Sequence, residues 1–242
     1  MAIDRDTTIT WYGHSCWEVT TPGGKTIILD PWFSNPRSPG NPADVSRCDL
    51  LLVTHGHYDH FGDALAIASR TRPVWPSIHE MSLWLGRNYA HKDTLIGMNK
   101  GGTVEAAGMK VTMVRADHSA GDFYAGSEAP IYLGEPVGFI VEVENGFRFY
   151  FAGDTDLFGD MRLIAERFRP EVAFLPIGGH FTMDPQAAAQ AVELLDVKHV
   201  IPIHYGTFPL LAGTPQALGE ALAARGLGDV QVHAPQPGED VR

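Results

Sequence analysis

The chain has 242 residues, 44% of them hydrophobic, with 18 Lys and Arg against 29 Asp and Glu and a formal net charge of −11. That length suits one α/β domain over residues 1–242, while the acidic balance and the lack of a basic run argue against nucleic acid and anionic membrane as partners. No apolar run approaches the roughly 18 residues of a membrane span, the polar start Met1-Ala2-Ile3-Asp4-Arg5-Asp6 has no signal-peptide core, and Cys16 and Cys48 make no C-x-x-C pair, so a cytoplasmic protein with two buried thiols is expected.

Residues 8–12, 16–20 and 26–29 read as short strands, rich in β-branched and aromatic side chains, with a turn at Pro22-Gly23-Gly24. A Pro/Gly/Ser-rich loop covers 34–42. The continuous apolar run 50–53 reads as a buried strand. Residues 63–69 are expected to be helical, 73–75 a strand, and Ser77 the cap of a helix reaching 87, with Glu80 in the capping-box position. Strands follow at 104–106 and 110–115, then a long loop over 119–136, of a length more often functional than idle. Residues 137–143 and 147–151 form a hairpin across Glu144-Asn145-Gly146. From there helix and strand alternate: helix 156–168, strand 172–175, a helix opened by Asp184 as cap and Pro185, strand 199–203, helix 215–225 and strand 230–233. Strands first, then this alternation, predict two sheets packed face to face with helices outside.

The densest chemistry is Thr54-His55-Gly56-His57-Tyr58-Asp59-His60, four potential metal ligands directly after the apolar strand. Imidazoles and carboxylates together suit zinc, manganese, nickel or iron. So many polar groups would be costly to bury unpaired. His118, Asp154 and His204 each follow another apolar strand, the end at which α/β sheets gather ligands. Each alone reads as an ordinary satisfied residue; jointly they point to one site. A closed structural zinc cage is disfavoured because such cages are usually rich in cysteine.

With these residues in that order, the chain resembles the metallo-β-lactamase superfamily. Within it, Trp11-Tyr12-Gly13-His14-Ser15-Cys16, Ile28-Leu29-Asp30-Pro31-Trp32, the run from Pro176 to Met183 and Pro202-Ile203-His204-Tyr205-Gly206-Thr207-Phe208-Pro209 are similar to metal-dependent hydrolases related to ascorbate-6-phosphate lactonase. The resemblance implies a four-layer αββα sandwich with two mixed sheets. It implies two divalent metal ions, zinc foremost, with His55, His57 and His118 on the first, Asp59, His60 and His204 on the second, and Asp154 and a hydroxide bridging them. Asp30 would stand behind the ligands and orient them, or else stabilise its own turn.

The resulting expectation is a hydrolase attacking a small-molecule lactone, ester or phosphodiester. Asp59, His14 and His180 are the catalytic candidates. His14 and His180 are read as donors to the substrate or its developing oxyanion, with Phe181 and Phe208 beside them. Trp32, Phe33, Phe123 and Tyr124 are further candidate pocket walls, and Asp184 is read as a helix cap. His79, His91, His199 and His233 are read as structural. Iron-dependent redox work, nuclease activity and a non-catalytic metal-binding role are the alternatives. Oxygen-reducing relatives tend to carry Glu where this chain has His57. A homo-oligomer is left open, with Trp84 and Tyr89 facing either a partner or the core.

Overall fold

A computed structural model describes Ile3, residues 6–124 and residues 126–241. Most of the polar start at 1–6, and Ala125 in the long loop, lie outside them. In β1 (Thr8–Trp11), Ile9 and Trp11 are buried and Thr8 and Thr10 point outward, the alternation of a strand with one face on the core. It pairs antiparallel with β2 (Trp17–Thr20), which pairs antiparallel with β3 (Thr26–Leu29); β4 (Leu50–Leu52) joins β3 in parallel, making a mixed four-stranded sheet. The ligand-rich segment that follows opens into the short helix α1 (Tyr58–Phe61), then α2 (Ala64–Thr71). Next come β5 (Trp75–Ile78), α3 (His79–Asn88) and β6 (Leu95–Met98). β5 and β6 pair in parallel, and a bridge from Leu50 to Val74 ties them to the first sheet.

The second sheet starts with the hairpin β7 (Thr103–Ala106) and β8 (Met109–Arg115). The small pair β9 (Gly121–Asp122) and β10 (Ile131–Tyr132) interrupts it before β11 (Val137–Glu142) and β12 (Arg148–Phe151). Three crossovers then add parallel strands: α4 (Met161–Phe168) to β13 (Val172–Pro176), α5 (Pro185–Leu195) to β14 (His199–Ile203), and α6 (Pro215–Ala224) to β15 (Gln231–Val232). The order across this seven-stranded mixed sheet is β15-β14-β13-β12-β11-β8-β7. Trp17 of β2 meets Phe174 of β13 edge-on, ring centroids 5.3 Å apart, so the two sheets share one aromatic and aliphatic core. The result is the expected αββα sandwich.

Local expectations shift where tertiary pairing overrides them. Ser77 is not a helix cap; it is fully buried inside β5, and α3 begins at His79 behind Ile78 with no side-chain cap. The cause is β6, a strand that carries little periodic signal and gives β5 its partner. Helix α4 starts at Met161 rather than 156, because Asp156 is drawn off by an N–H bond to the Asp117 carbonyl of 2.9 Å. Asp184 does cap α5, accepting from the Ala187 N–H at 2.8 Å. Tyr89 is buried and donates to the Ala68 carbonyl, and Trp84 packs on Phe61 and Tyr124, so both turn to the core. Cys16 and Cys48 are free and buried. No helix among the described residues is long and apolar enough to cross a membrane.

Candidate metal centre

The strand ends of both sheets converge on one place. Asp30 follows β3, the His55–His60 segment follows β4, His118 follows β8, Asp154 follows β12 and His204 follows β14. Three overlapping sets have ligand atoms all within 4.8 Å of one another: His55, His57 and His118; His55, His60 and Asp154; and His14, Asp59, His60 and His204. The first is the trio the resemblance implies for one ion. The last contains the trio implied for the other, with His14 added. Asp154 lies between them: its Oδ2 is 2.9 Å from His204 Nε2, 3.3 Å from His60 Nε2 and 3.6 Å from His118 Nε2.

The donor set fits divalent ions. His55 Nε2 and His57 Nδ1 are 2.9 Å apart, close enough to share one ion given metal–nitrogen bonds of about 2.0–2.1 Å. Asp154 Oδ1 is buried with no hydrogen-bond partner in the fold, and His60 Nε2, equally buried, has only the approach of Asp154 Oδ2 at 3.3 Å. Such an orphan costs about 1–3 kcal/mol unless something satisfies it, and a cation facing both atoms would do so.

Behind the donors sits a second set of bonds that fixes their orientation. Asp30 is fully buried; it accepts from the Thr54 N–H at 2.7 Å, the Thr54 hydroxyl at 2.8 Å and His60 Nδ1–H at 2.6 Å. That choice of tautomer leaves His60 Nε2 aimed at Asp154. The Thr54 hydroxyl, having donated to Asp30, accepts from His55 Nδ1–H at 3.0 Å, which frees His55 Nε2 as a lone pair. His14 Nε2–H donates to Asp59 at 3.0 Å, and His14 Nδ1 faces the Thr207 hydroxyl at 2.8 Å.

The backbone is strained at the same place. Eight described residues other than glycine have positive φ. Arg72, Arg169 and Asp196 among them end helices, and Ala107 turns the β7–β8 hairpin. The other four are His14, Asp30, His180 and His204, with φ of 53°, 42°, 44° and 56°. Such conformations persist only where the surroundings impose them. One imposing contact is plain: a Cβ on Gly178 would lie 2.2 Å from the His204 carbonyl oxygen, so only glycine lets β13's exit loop pass that close.

Electrostatics divide the imidazoles. Burial, reinforced by neighbouring histidines, holds His55 well below its ordinary pKa, lowers His57 and His118, and brings His14 to about 4. Burial also opposes charge on His60 and His204, but the facing carboxylates outweigh it: Asp154, Asp30 and Asp59 hold His60 well above its usual value, and Asp154 and Asp59 raise His204 to about 9. Asp154 and Asp59 are in turn held well below the carboxylate range, the pull of His204 and His60 overcoming burial. Without metal, protons on His60 and His204 supply the positive charge these carboxylates need.

An expected result follows for Asp30→Asn, which keeps the shape of the side chain but removes its charge. Metal affinity should fall by about 10–100-fold, the usual cost of losing an outer partner of a ligating histidine. Isothermal titration with zinc measures it; unchanged affinity would assign Asp30 to its turn alone.

The site opens into a cavity of about 430 Å³ lined by His57, Asp59, His118, Asp154 and His204 on its floor and by Tyr58, Phe181 and Phe208 among its walls. Some sequence expectations take a different place. His14 is fully buried behind Asp59 and does not line the cavity. His180 is exposed, its ring edge-on to Phe181, and is also outside the lining. Phe33 is buried and faces a separate cavity beside Tyr12. Phe123 is exposed outside the lining, Tyr124 packs on Phe61 while its hydroxyl donates to the Gly56 carbonyl, and Trp32 supports Tyr58 and Phe208 from behind. Thr54, Tyr58, Asp122 and Thr207 are the residues that went unassigned. Thr54 and Tyr58 stand inside the ligand motif itself and Thr207 in the segment that follows His204, while no local pattern marks Asp122.

Known proteins show the same architecture and much of the same sequence. A family model described as a β-lactamase superfamily domain matches residues 25–205. A metal-dependent hydrolase of Roseiflexus castenholzii is 44% identical over 243 residues, covering 99% of this chain and 98% of that protein. One from Myxococcus xanthus is 47% identical over 234 residues, covering 96% and 82%. The solved structure of Igni18, a metallo hydrolase from Ignicoccus hospitalis, is 37% identical with a TM-score of 0.84 and covers 97% of each chain.

Proposed function

This chain belongs to the metallo-β-lactamase superfamily, among its metal-dependent hydrolases, and on that premise we propose that it is a binuclear hydrolase of a small-molecule lactone, ester or phosphodiester. The observation that carries the reading is Asp154 Oδ2 facing three imidazoles from three different strand ends, between one histidine trio and a second set containing a carboxylate. In this reading His55, His57 and His118 would hold one ion, Asp59, His60 and His204 would hold the other, and Asp154 would serve both. When bound, two such ions act as Lewis acids on a carbonyl or phosphoryl oxygen and bring the pKa of water towards neutrality.

The chain's own groups do the rest. Asp154 would supply the negative charge that two neighbouring cations need between them. Asp59 faces the cavity and stays ionised, so it can accept a hydrogen bond from a water there and orient it. His14, with one ring nitrogen bonded to Asp59 and the other to Thr207, positions that carboxylate. His180, exposed at the rim beside Phe181, is assigned to a polar group of the substrate. Zinc, manganese, nickel and iron all suit the donor set. The test is elemental analysis of the purified protein with steady-state assays on aryl esters, lactones and bis-aryl phosphates. Two ions per chain and turnover are expected; one ion per chain, or full loading with no turnover, would refute it.

A further inference from the structure

The cavity that receives the substrate has an unusual charge balance for a site meant to hold a phosphate. Among the described residues lining it there is no Lys or Arg. Phosphate recognition ordinarily uses such cations in bidentate or point-charge contact. The one lining carboxylate outside the ligand set is Asp122, whose oxygens accept from the backbone N–H groups of Tyr58 at 2.8 Å and Phe123 at 2.7 Å. These bonds fix Asp122 at the mouth and leave its negative charge in place. Arg37 reaches Gly206, in the loop after His204, but its guanidinium lies over the Trp11 ring at 5.1 Å from the centroid and is not part of the lining.

The ions do not supply the missing attraction in full. Two divalent ions would bring four positive charges against the three carboxylates of Asp30, Asp59 and Asp154, and Asp122 would offset the one that remains. At longer range the chain's net charge of −11 repels anions. The walls offer the opposite chemistry. Tyr58 is 52% and Phe181 54% exposed, and Phe208 completes a rim of rings backed by Trp32, centroids 5.5 Å and 6.0 Å from Tyr58 and Phe208. Large apolar side chains left open around a cleft mark a surface meant to be covered.

We propose that this cavity selects an uncharged ester or lactone bearing an aryl or alkyl group, and discriminates against phosphodiesters. The inference rests on the hydrolytic reading above and narrows its substrate class. In the reaction, water adds its oxygen to the acyl carbon, the acyl C–O bond breaks, and the alcohol leaves with one proton while the other passes to solvent.

The experiment compares pairs that differ in charge but share a leaving group: diethyl p-nitrophenyl phosphate against its monoethyl diester, and p-nitrophenyl butyrate against bis-p-nitrophenyl phosphate. Each kcat/KM of the metal-loaded protein is divided by that substrate's rate constant with free hydroxide. The neutral member should lead by about tenfold or more, and Phe181→Ala should reduce kcat/KM for the neutral substrates by about tenfold, the scale of one lost ring contact. Asp122→Asn should raise the diester rates. A ratio at or below one, or loss of diester turnover in Arg37→Ala, overturns the proposal. Calorimetry with phenylacetamide and monoethyl phenylphosphonate separates this inference from the reading beneath it. If no substrate turns over, the hydrolytic reading fails, yet tighter binding of the neutral ligand still supports the selectivity and tighter binding of the anion overturns it.

Discussion

Asp154→Ala should lose on the order of 10³-fold or more in kcat/KM, the scale of removing one essential electrostatic group from a reaction centre. The side chain is 2% exposed and is the only carboxylate whose Oδ2 lies within 3.6 Å of imidazoles from β4's exit segment, β8's exit and β14's exit together among the described residues. In the proposed binuclear site its loss would remove the anion shared by two cations, so bound metal should fall below two per chain as activity falls. The fold should survive, because Phe151 and Ala152 keep their places in the core and the β12–β13 pairing does not involve the side chain. Far-ultraviolet circular dichroism, elemental analysis and turnover on an aryl ester form the measurement. Hydrolysis retained with two metals bound would remove Asp154 from the centre.

Chelation should produce the second large effect, in stability. Asp30, Asp154, His55, His60 and His204 are all buried, and much of the charge among them is compensated only by each other or by an ion. An ion present at about 1,000 times its Kd stabilises a fold by about 4 kcal/mol. For a chain of this size that corresponds to roughly 8–16 °C in Tm per site. Differential scanning calorimetry before and after dialysis against a chelator should show such a drop, reversed by zinc. Equal melting temperatures would mean that these side chains hold no ion in the folded protein.

How the fold and the site were readable differs from element to element. The run Leu50-Leu51-Leu52 announces a strand buried on both faces, and Asp184-Pro185 announces a helix start, because each signal is local. β6 was not readable, since Leu95–Met98 becomes a strand only by pairing in parallel with β5, and that partner in turn pulls Ser77 out of the cap position. The short pair β9 and β10 hid within a loop for the same reason. In the site, the spacing of His55, His57, Asp59 and His60 is visible as a motif. The burial of His14 is not: its partners Asp59 and Thr207 stand 45 and 193 residues away. Likewise the bond from the Tyr58 N–H to Asp122, which sets both at the cavity, joins residues 64 apart.

The amino-acid sequence by itself determined the donor chemistry, the alternation of strands and helices, and the order in which ligands appear, because hydrophobic period, capping residues and imidazole-rich spacing act over a few residues. Only the tertiary structure decided which donors face one another, that Asp30 selects the His60 tautomer, that His14 is buried behind Asp59, and that the cavity carries rings and a carboxylate where a phosphate would need cations. Those outcomes depend on two sheets closing over one core, and closure brings together side chains whose separation along the chain leaves no local trace of their contact.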